Sequence, residues 1–261
     1  YNVAVGALAL DANTTASYGV AVGGNALGAN TTGGQNTALG YGTLAANTTG
    51  ATNVAIGDQA LGVNTTASNN TAVGKDALGA NTTGAGNSAV GKGALDANTT
   101  GSNNVAFGVN CLGANTTGEE NVAMAPNSAL LNNTTGTGNT ALGNQALMAN
   151  TTGSNSTAVG LYALTAQTSG DGNTAIGSNA LLTITTGGTS TAVGRNALKL
   201  SSTGSANTAI GYACLDANTT ADSNTAVGYF ALSANTTAAT NTAVGSNAGA
   251  AITTGGLNVI L

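Results

Sequence analysis

One period governs this chain. The alanine of an Asn-Thr-Ala-Val-Gly string falls at Ala4, Ala21, Ala38, Ala55, Ala72, Ala89, Ala106 and Ala123, then at Ala141, Ala158, Ala175, Ala192, Ala209, Ala226 and Ala243. The step is 17 residues except across Pro126, where one inserted residue makes it 18. Self-similarity at a short fixed period marks a stacked-repeat architecture, in which each repeat buries against its neighbours a face it cannot bury alone. The consensus is Asn-Thr-Ala-Val-Gly-x-x-Ala-Leu-x-Ala-Asn-Thr-Thr-Gly-x-x, numbered below from one to seventeen. Residues 1–261 therefore read as a single continuous solenoid of about fifteen repeats, with a one-residue insertion near Pro126 and a further repeat begun at Asn258.

Differences among the copies show which positions are constrained. Position three is always Ala, position five is Gly except at Ala125, and position nine is Leu except at Gly249. Position four is always apolar, and positions thirteen and fourteen are Thr except at Ser169 and Ser202. Charged residues occupy only positions six, seven, ten, sixteen and seventeen, as at Asp58, Lys75, Asp76, Asp96, Glu119, Glu120, Arg195 and Asp222. Charge avoids burial, so these positions mark the outside of each coil.

Seventeen residues are too few for a helix pair with turns, while Val, Thr and regular Gly favour short strands. The pattern predicts strands at positions two to five and eight to eleven. Gly at position five supplies a corner with positive φ, and Asn-Thr-Thr-Gly supplies the other through left-handed Asn and Gly. The fold class is then all-β: a parallel β-solenoid (β-roll or β-helix) of 17-residue coils. Coils about 4.8 Å apart make a rod on the order of 70 Å long. Stacking sets like residues in rows, so the Asn and Thr rows become hydrogen-bonded ladders. Positions three and four are both apolar yet point opposite ways in a strand. The larger Val and Leu are expected inside. The alanine row, Ala4 to Ala243 as given above, is expected to face outward as an oligomer interface, most simply of a trimer.

The composition, with 40 Gly, 3% aromatic and 5% charged residues, would suit a disordered chain, but one Pro and 41% apolar residues argue for packing. Lys75, Lys92, Arg195 and Lys199 are the whole basic complement against a net charge of −5, so no nucleic-acid partner is expected. No apolar run is long enough for membrane insertion, and no charged-then-apolar leader precedes the first repeat. The chain opens inside a repeat, as an excised or mature segment would. It starts and ends in strands, whose unpaired edges favour head-to-tail stacking.

Catalysis finds no support. His is absent and the nine acids are scattered over outer turns, so no acid–base pair, metal site or cofactor site is expected. Cys111 and Cys214 both take position eight. Six coils, roughly 29 Å at sheet spacing, would separate them, whereas a disulfide needs Cα atoms within about 7 Å. They are expected to be small buried residues.

Sequons offer another candidate chemistry. Asn13, Asn30, Asn47, Asn64, Asn81, Asn98, Asn115, Asn133, Asn150, Asn218 and Asn235 each begin Asn-Thr-Thr, the N-glycosylation acceptor pattern, and Asn69, Asn132 and Asn155 lie in sequons too. Modified, position twelve would carry a dense glycan row. Against this, Gln167, Ile184, Ser201 and Ile252 stand at the same position, which points to a semi-buried corner. An ice-binding face is a weaker candidate, since the Thr pair at thirteen and fourteen is adjacent and only one of the two can share a face.

The Asn-Thr-Ala-Val-Gly core, followed by Ala-Leu and Asn-Thr-Thr-Gly, resembles the head repeats of YadA-like trimeric autotransporter adhesins. It is also similar to 17-residue repeat arrays in bacterial and phage tail-fibre-like proteins. The resemblance runs from Asn2 to Leu261. It implies a left-handed parallel β-roll, trimeric in the adhesins, exposed on a cell or virion surface. The expected function is that of an extracellular structural fibre, an adhesin or tail-fibre shaft whose partner is itself, as a trimer or a head-to-tail filament, with a host surface or glycans beyond. The alternative is a module that binds glycan or ice through its repeated Thr/Asn face.

Overall fold

Positions two to four of each repeat form a strand, and the strands stack parallel in chain order as a β-solenoid of about fifteen turns. The structure is a computed structural model that describes residues 1–261. It separates into two compact units, Tyr1–Thr135 and Gly136–Leu261, where the sequence reads as one array. The boundary falls in the repeat that carries the insertion.

The first unit holds β1 (Val3–Val5), β2 (Val20–Val22), β3 (Thr37–Leu39), β4 (Val54–Ile56), β5 (Thr71–Val73), β6 (Ser88–Val90), β7 (Val105–Val109) and β8 (Val122–Asn127). Like pairs with like: Ala38 stands opposite Ala55, which stands opposite Ala72. The inserted residue is taken up between β7 and β8, where Phe107 faces Met124 but Val109 faces Asn127, a β-bulge beside Pro126. The second unit holds β9 (Thr140–Leu142), β10 (Thr157–Val159), β11 (Thr174–Ile176), β12 (Thr191–Val193), β13 (Thr208–Ile210), β14 (Thr225–Val227), β15 (Thr242–Val244) and β16 (Val259–Ile260), in the same register.

A second strand at positions eight to eleven does not form. Positions six to eleven are successive turns, because the backbone is left-handed at positions seven and nine, as at Asn25 (φ 59°), Leu27 (φ 52°), Gln59 (φ 59°) and Leu61 (φ 52°). Such a conformation costs a non-glycine residue roughly 1–2 kcal/mol. Here it turns the chain so that consecutive residues, Ala26 and Leu27 for example, both bury completely. The other corner also differs from expectation. Its left-handed residue is position seventeen, such as Gln35 and Asn69, rather than the Asn or Gly of Asn-Thr-Thr-Gly.

Hydrogen bonding to the next coil nonetheless continues through the turns. Leu27 N–H donates to Thr43 C=O at 3.0 Å, Ala29 to Ala45 at 3.0 Å and Thr31 to Thr48 at 2.9 Å. Position five is tied to glycine twice over. Gly160 has φ +132°, and a Cβ there would lie 2.7 Å from the carbonyl carbon of Gly177.

The core is thin. Leu at position nine is its only large recurrent side chain, with Ala at positions three and eight beside it. The expected orientation of the first strand is therefore reversed. Ala21, Ala38, Ala55, Ala72, Ala89, Ala106, Ala123, Ala141, Ala158, Ala175, Ala192, Ala209, Ala226 and Ala243 are fully buried, and only Ala4, in the first coil, is exposed. The Leu and Asn rows fill the interior and leave methyl-sized room at position three. The alanine row is core and cannot be an oligomer interface, while the larger residues of position four face outward.

Candidate functional site

Four rows of polar or apolar side chains run along the coils, and their geometry decides what each can do. The first is position twelve. Asn47 Nδ2 donates to Asn30 Oδ1 at 2.8 Å, Asn64 to Asn47 at 2.9 Å, Asn81 to Asn64 at 3.0 Å, Asn98 to Asn81 at 2.8 Å and Asn115 to Asn98 at 2.9 Å. Each Nδ2 also donates to the carbonyl three residues on, as Asn81 does to Gly84 at 2.9 Å. Asn30, Asn47, Asn64, Asn81, Asn98, Asn115, Asn133, Asn150, Asn218 and Asn235 are all buried, and Asn13 is half-buried in the first coil. A glycan on these amides is incompatible with the folded coil. From Asn30 to Asn133 the sequon row is a continuous internal amide ladder, while Asn13 Oδ1 and Asn218 Oδ1 take no partner; its burial rules it out as an attachment row. In the second unit Gln167 joins it, with Nε2 3.3 Å from Asn150 Oδ1, and Ile184 interrupts it. Asn69, Asn132 and Asn155 are exposed.

Position one makes a second buried ladder of another kind. The backbone N–H of Asn53 donates to Asn36 Oδ1 at 2.9 Å, and Asn70 N–H to Asn53 Oδ1 at 3.0 Å. Position thirteen is the third row. Each Thr hydroxyl donates to the carbonyl of the matching Thr one coil on, as Thr31 does to Thr48 at 3.0 Å and Thr99 to Thr116 at 3.0 Å. These three rows serve the fold.

The fourth row lies on the outer face of the strands, at positions two and four. Leu39 is 47% exposed, Phe107 53% and Met124 43%. No charged residue occupies either position anywhere in the chain. In the first unit, position two adds Val20, Val54, Val105 and Val122 to this face; in the second, it is Thr from β9 through β15.

Other chemistry is sparse. Lys75 Nζ lies 3.4 Å from Asp58 and 4.0 Å from Asp76, an exposed arrangement worth little to stability. Burial raises the Asp96 carboxyl above the usual range, with Asp76 adding to the rise, and burial likewise raises Asp216. Cys111 and Cys214 are free and buried in their respective units. Burial pushes the Cys111 thiol up and the Cys214 thiol up to about 11. Tyr212, Tyr229 and Phe230 cluster on the second unit, with the two Tyr rings stacked at 5.5 Å. The surface holds no enclosed pocket, and no three His, Cys, Asp or Glu side chains gather as metal ligands would. The chain has no helix, hence none long and apolar enough to cross a membrane.

Sequence signals for the ladders were present. The replacements at position twelve include Gln167 and Ser201, which keep hydrogen-bonding capacity. No family of known proteins, no curated protein and no solved structure matches the chain.

Proposed function

We propose that this chain is a structural, fibre-forming protein whose partner is itself, and that it works outside the cell or on a virion surface as an adhesin or tail-fibre shaft does. The observation that carries the reading is the outer strand face of the first unit. It sets Leu39, Phe107 and Met124 in the open beside a column rich in Val. Contiguous exposed apolar surface of this kind marks an association site. All charged residues sit on the other sides of the coil, with acids in excess, so copies meeting there would set like charge against like. Lateral contact through the strand face avoids this and buries aliphatic groups. The interface thus moves from the alanine row to positions two and four, with a trimer as the simplest closed form. The resemblance to adhesin and tail-fibre repeats supports the surface location and the shaft role.

Sedimentation and electron microscopy of the purified chain test this. The wild-type chain should form trimers or filaments. Leu39→Asp together with Phe107→Asp, both outward-facing, should yield folded single chains. A wild-type chain that sediments as a monomer at every concentration refutes the reading, and so does a double variant that associates unchanged.

A further inference from the structure

The second unit presents a different outer face. From β9 to β15, position two is Thr on every strand: Thr140, Thr157, Thr174, Thr191, Thr208, Thr225 and Thr242. Position four on the same strands is Leu142 or a β-branched residue such as Val159, Ile176, Val193 or Ile210. The first unit has Thr at this position only in β3 and β5.

Two features set this Thr column apart from the other Thr rows. Its hydroxyls take no protein partner and are not sealed from solvent, whereas the hydroxyls at position thirteen are spent on carbonyls of the next coil. It also stands on regular strands, with every Thr directly opposite the next. The exposed Thr of position fourteen stands on a bend rather than on a strand. Its neighbours at positions sixteen and seventeen include the acids Glu119, Glu120, Asp171 and Asp222.

The strand face is therefore a neutral two-column array. Its repeat is about 4.8 Å along the stack and about 6.6 Å from position two to position four. We infer that the face formed by β9–β15 adsorbs to the surface of ice. A crystal of water is a periodic, uncharged ligand that a rigid array of equal pitch can match and a flexible or charged surface cannot. The strand spacing lies close to the oxygen repeat of ice planes. Each Thr hydroxyl can take the place of a lattice water, while the Thr methyls and the aliphatic column hold water in ordered cages between them. Rotamer freedom lost on adsorption is small, because β-branched side chains are already stiff at χ1. This face differs from the self-association face of the first unit in its Thr at position two, the position-four column being aliphatic in both; sedimentation separates the two readings, so either can fail alone.

The test is nanolitre osmometry and ice-recrystallisation inhibition on the full chain. Strand content is followed by circular dichroism and the assembly state by sedimentation. The wild-type chain should show thermal hysteresis that rises with concentration, with faceted crystals. Thr191→Tyr, at the centre of the array, should cut hysteresis several-fold. Thr186→Tyr, on the exposed position-fourteen bend of the same unit and off the strand face, should leave it unchanged. Should Thr191→Tyr fail to fold, Thr191→Val keeps the branched shape, exchanges only the hydroxyl for a methyl, and should still lower hysteresis. Round crystals without hysteresis from the wild-type chain overturn the inference. Equal loss from Thr186→Tyr and Thr191→Tyr also overturns it, as does unchanged activity in both Thr191 variants.

Discussion

Removing one rung of the position-twelve ladder should cost more than one hydrogen bond. Asn81 donates to Asn64 Oδ1 at 3.0 Å and to Gly84 C=O at 2.9 Å, and accepts from Asn98 Nδ2 at 2.8 Å. In Asn81→Ala, Gly84 C=O keeps a donor, because Asn70 Nδ2 also reaches it at 2.9 Å. Asn98 Nδ2 keeps its bond to Gly101 C=O at 2.9 Å. Asn64 Oδ1 keeps nothing. A buried acceptor left without a partner costs about 1–3 kcal/mol, and the lost net bonding adds about 1 kcal/mol. The expected destabilisation is therefore about 2–4 kcal/mol, read as a lower denaturant midpoint at constant slope. The chain already contains such breaks, with Asn13 Oδ1 and Asn218 Oδ1 both buried without a partner. Ile184 follows Gln167 in this column, and the next residue in it, Ser201, has a buried hydroxyl without a partner. Because stacked coils interact with nearest neighbours only, hydrogen exchange should accelerate around Asn64, Asn81 and Asn98 and stay slow elsewhere in the unit. Asn81→Asp sharpens the test. Its carboxylate would face two acceptors, so its folded-state pKa rises above the unfolded value of about 3.9. The variant should then be near wild-type stability below that pH and lose stability as pH rises through the folded pKa. A midpoint for Asn81→Ala unchanged within about 0.5 kcal/mol refutes the ladder's energetic role, as does a pH-independent Asn81→Asp.

Gly160→Ala should lower stability by at least about 2–3 kcal/mol, since it strains both φ and a backbone contact; a thermal melt equal to wild type would contradict this. Ala89→Leu should destabilise by about 1–3 kcal/mol through overpacking, whereas Val90→Thr on the outer face should change stability little; if Ala89→Leu alters association and not the melting temperature, the alanine row faces outward after all. Both cysteines should resist alkylation at pH 8 until denaturant is added, and rapid labelling of the native chain would show the thiols to be open. Their raised folded-state pKa values mean that the unfolded chain ionises first, so stability should fall from about pH 9 towards about 11, the value for Cys214. A stability flat across that window would argue against their burial.

Much of the architecture was legible because the copies act as an alignment of the chain with itself. The period, the first strand (expected at positions two to five, formed at two to four) and the outward charges all follow from which positions vary. Ranking hydrophobicity by bulk gives the wrong facing for the first strand. The better signal was constancy of size. Position three is Ala in every repeat, as a site closed on all sides requires, while position four ranges over Val, Leu, Ile, Phe107 and Met124, as only an open site allows. Left-handed backbone at position nine left no trace in the sequence. Leu has no preference for it and adopts it because burial outweighs the local cost, whereas at position seven Asn25, Gly42 and Asn110 do advertise the conformation. The sequons misled because Asn-Thr-Thr satisfies a modification pattern and a ladder-plus-hydroxyl pattern equally well; only burial separates them.

The insertion near Pro126 shows what the ladders contribute beyond energy. A one-residue slip of the sheet would press the larger side chains of position four into the methyl-sized space of position three, so the apolar rows already resist it. The amide rows fix the register further, because their donors must meet both the previous amide and a fixed carbonyl. Across the insertion the step is 18 residues, yet Asn133 Nδ2 reaches Asn115 Oδ1 at 2.8 Å and Thr116 Oγ1 reaches Thr134 C=O at 3.0 Å, as in the 17-residue steps. The bulge between β7 and β8 absorbs the extra residue before the polar rows resume. Position in the coil, rather than count along the chain, is what the asparagines enforce. Loops and insertions on the outer turns are therefore tolerable wherever the next Asn-Thr pair can return to its column, and an insertion placed between positions twelve and thirteen should be far more damaging than one placed at position six.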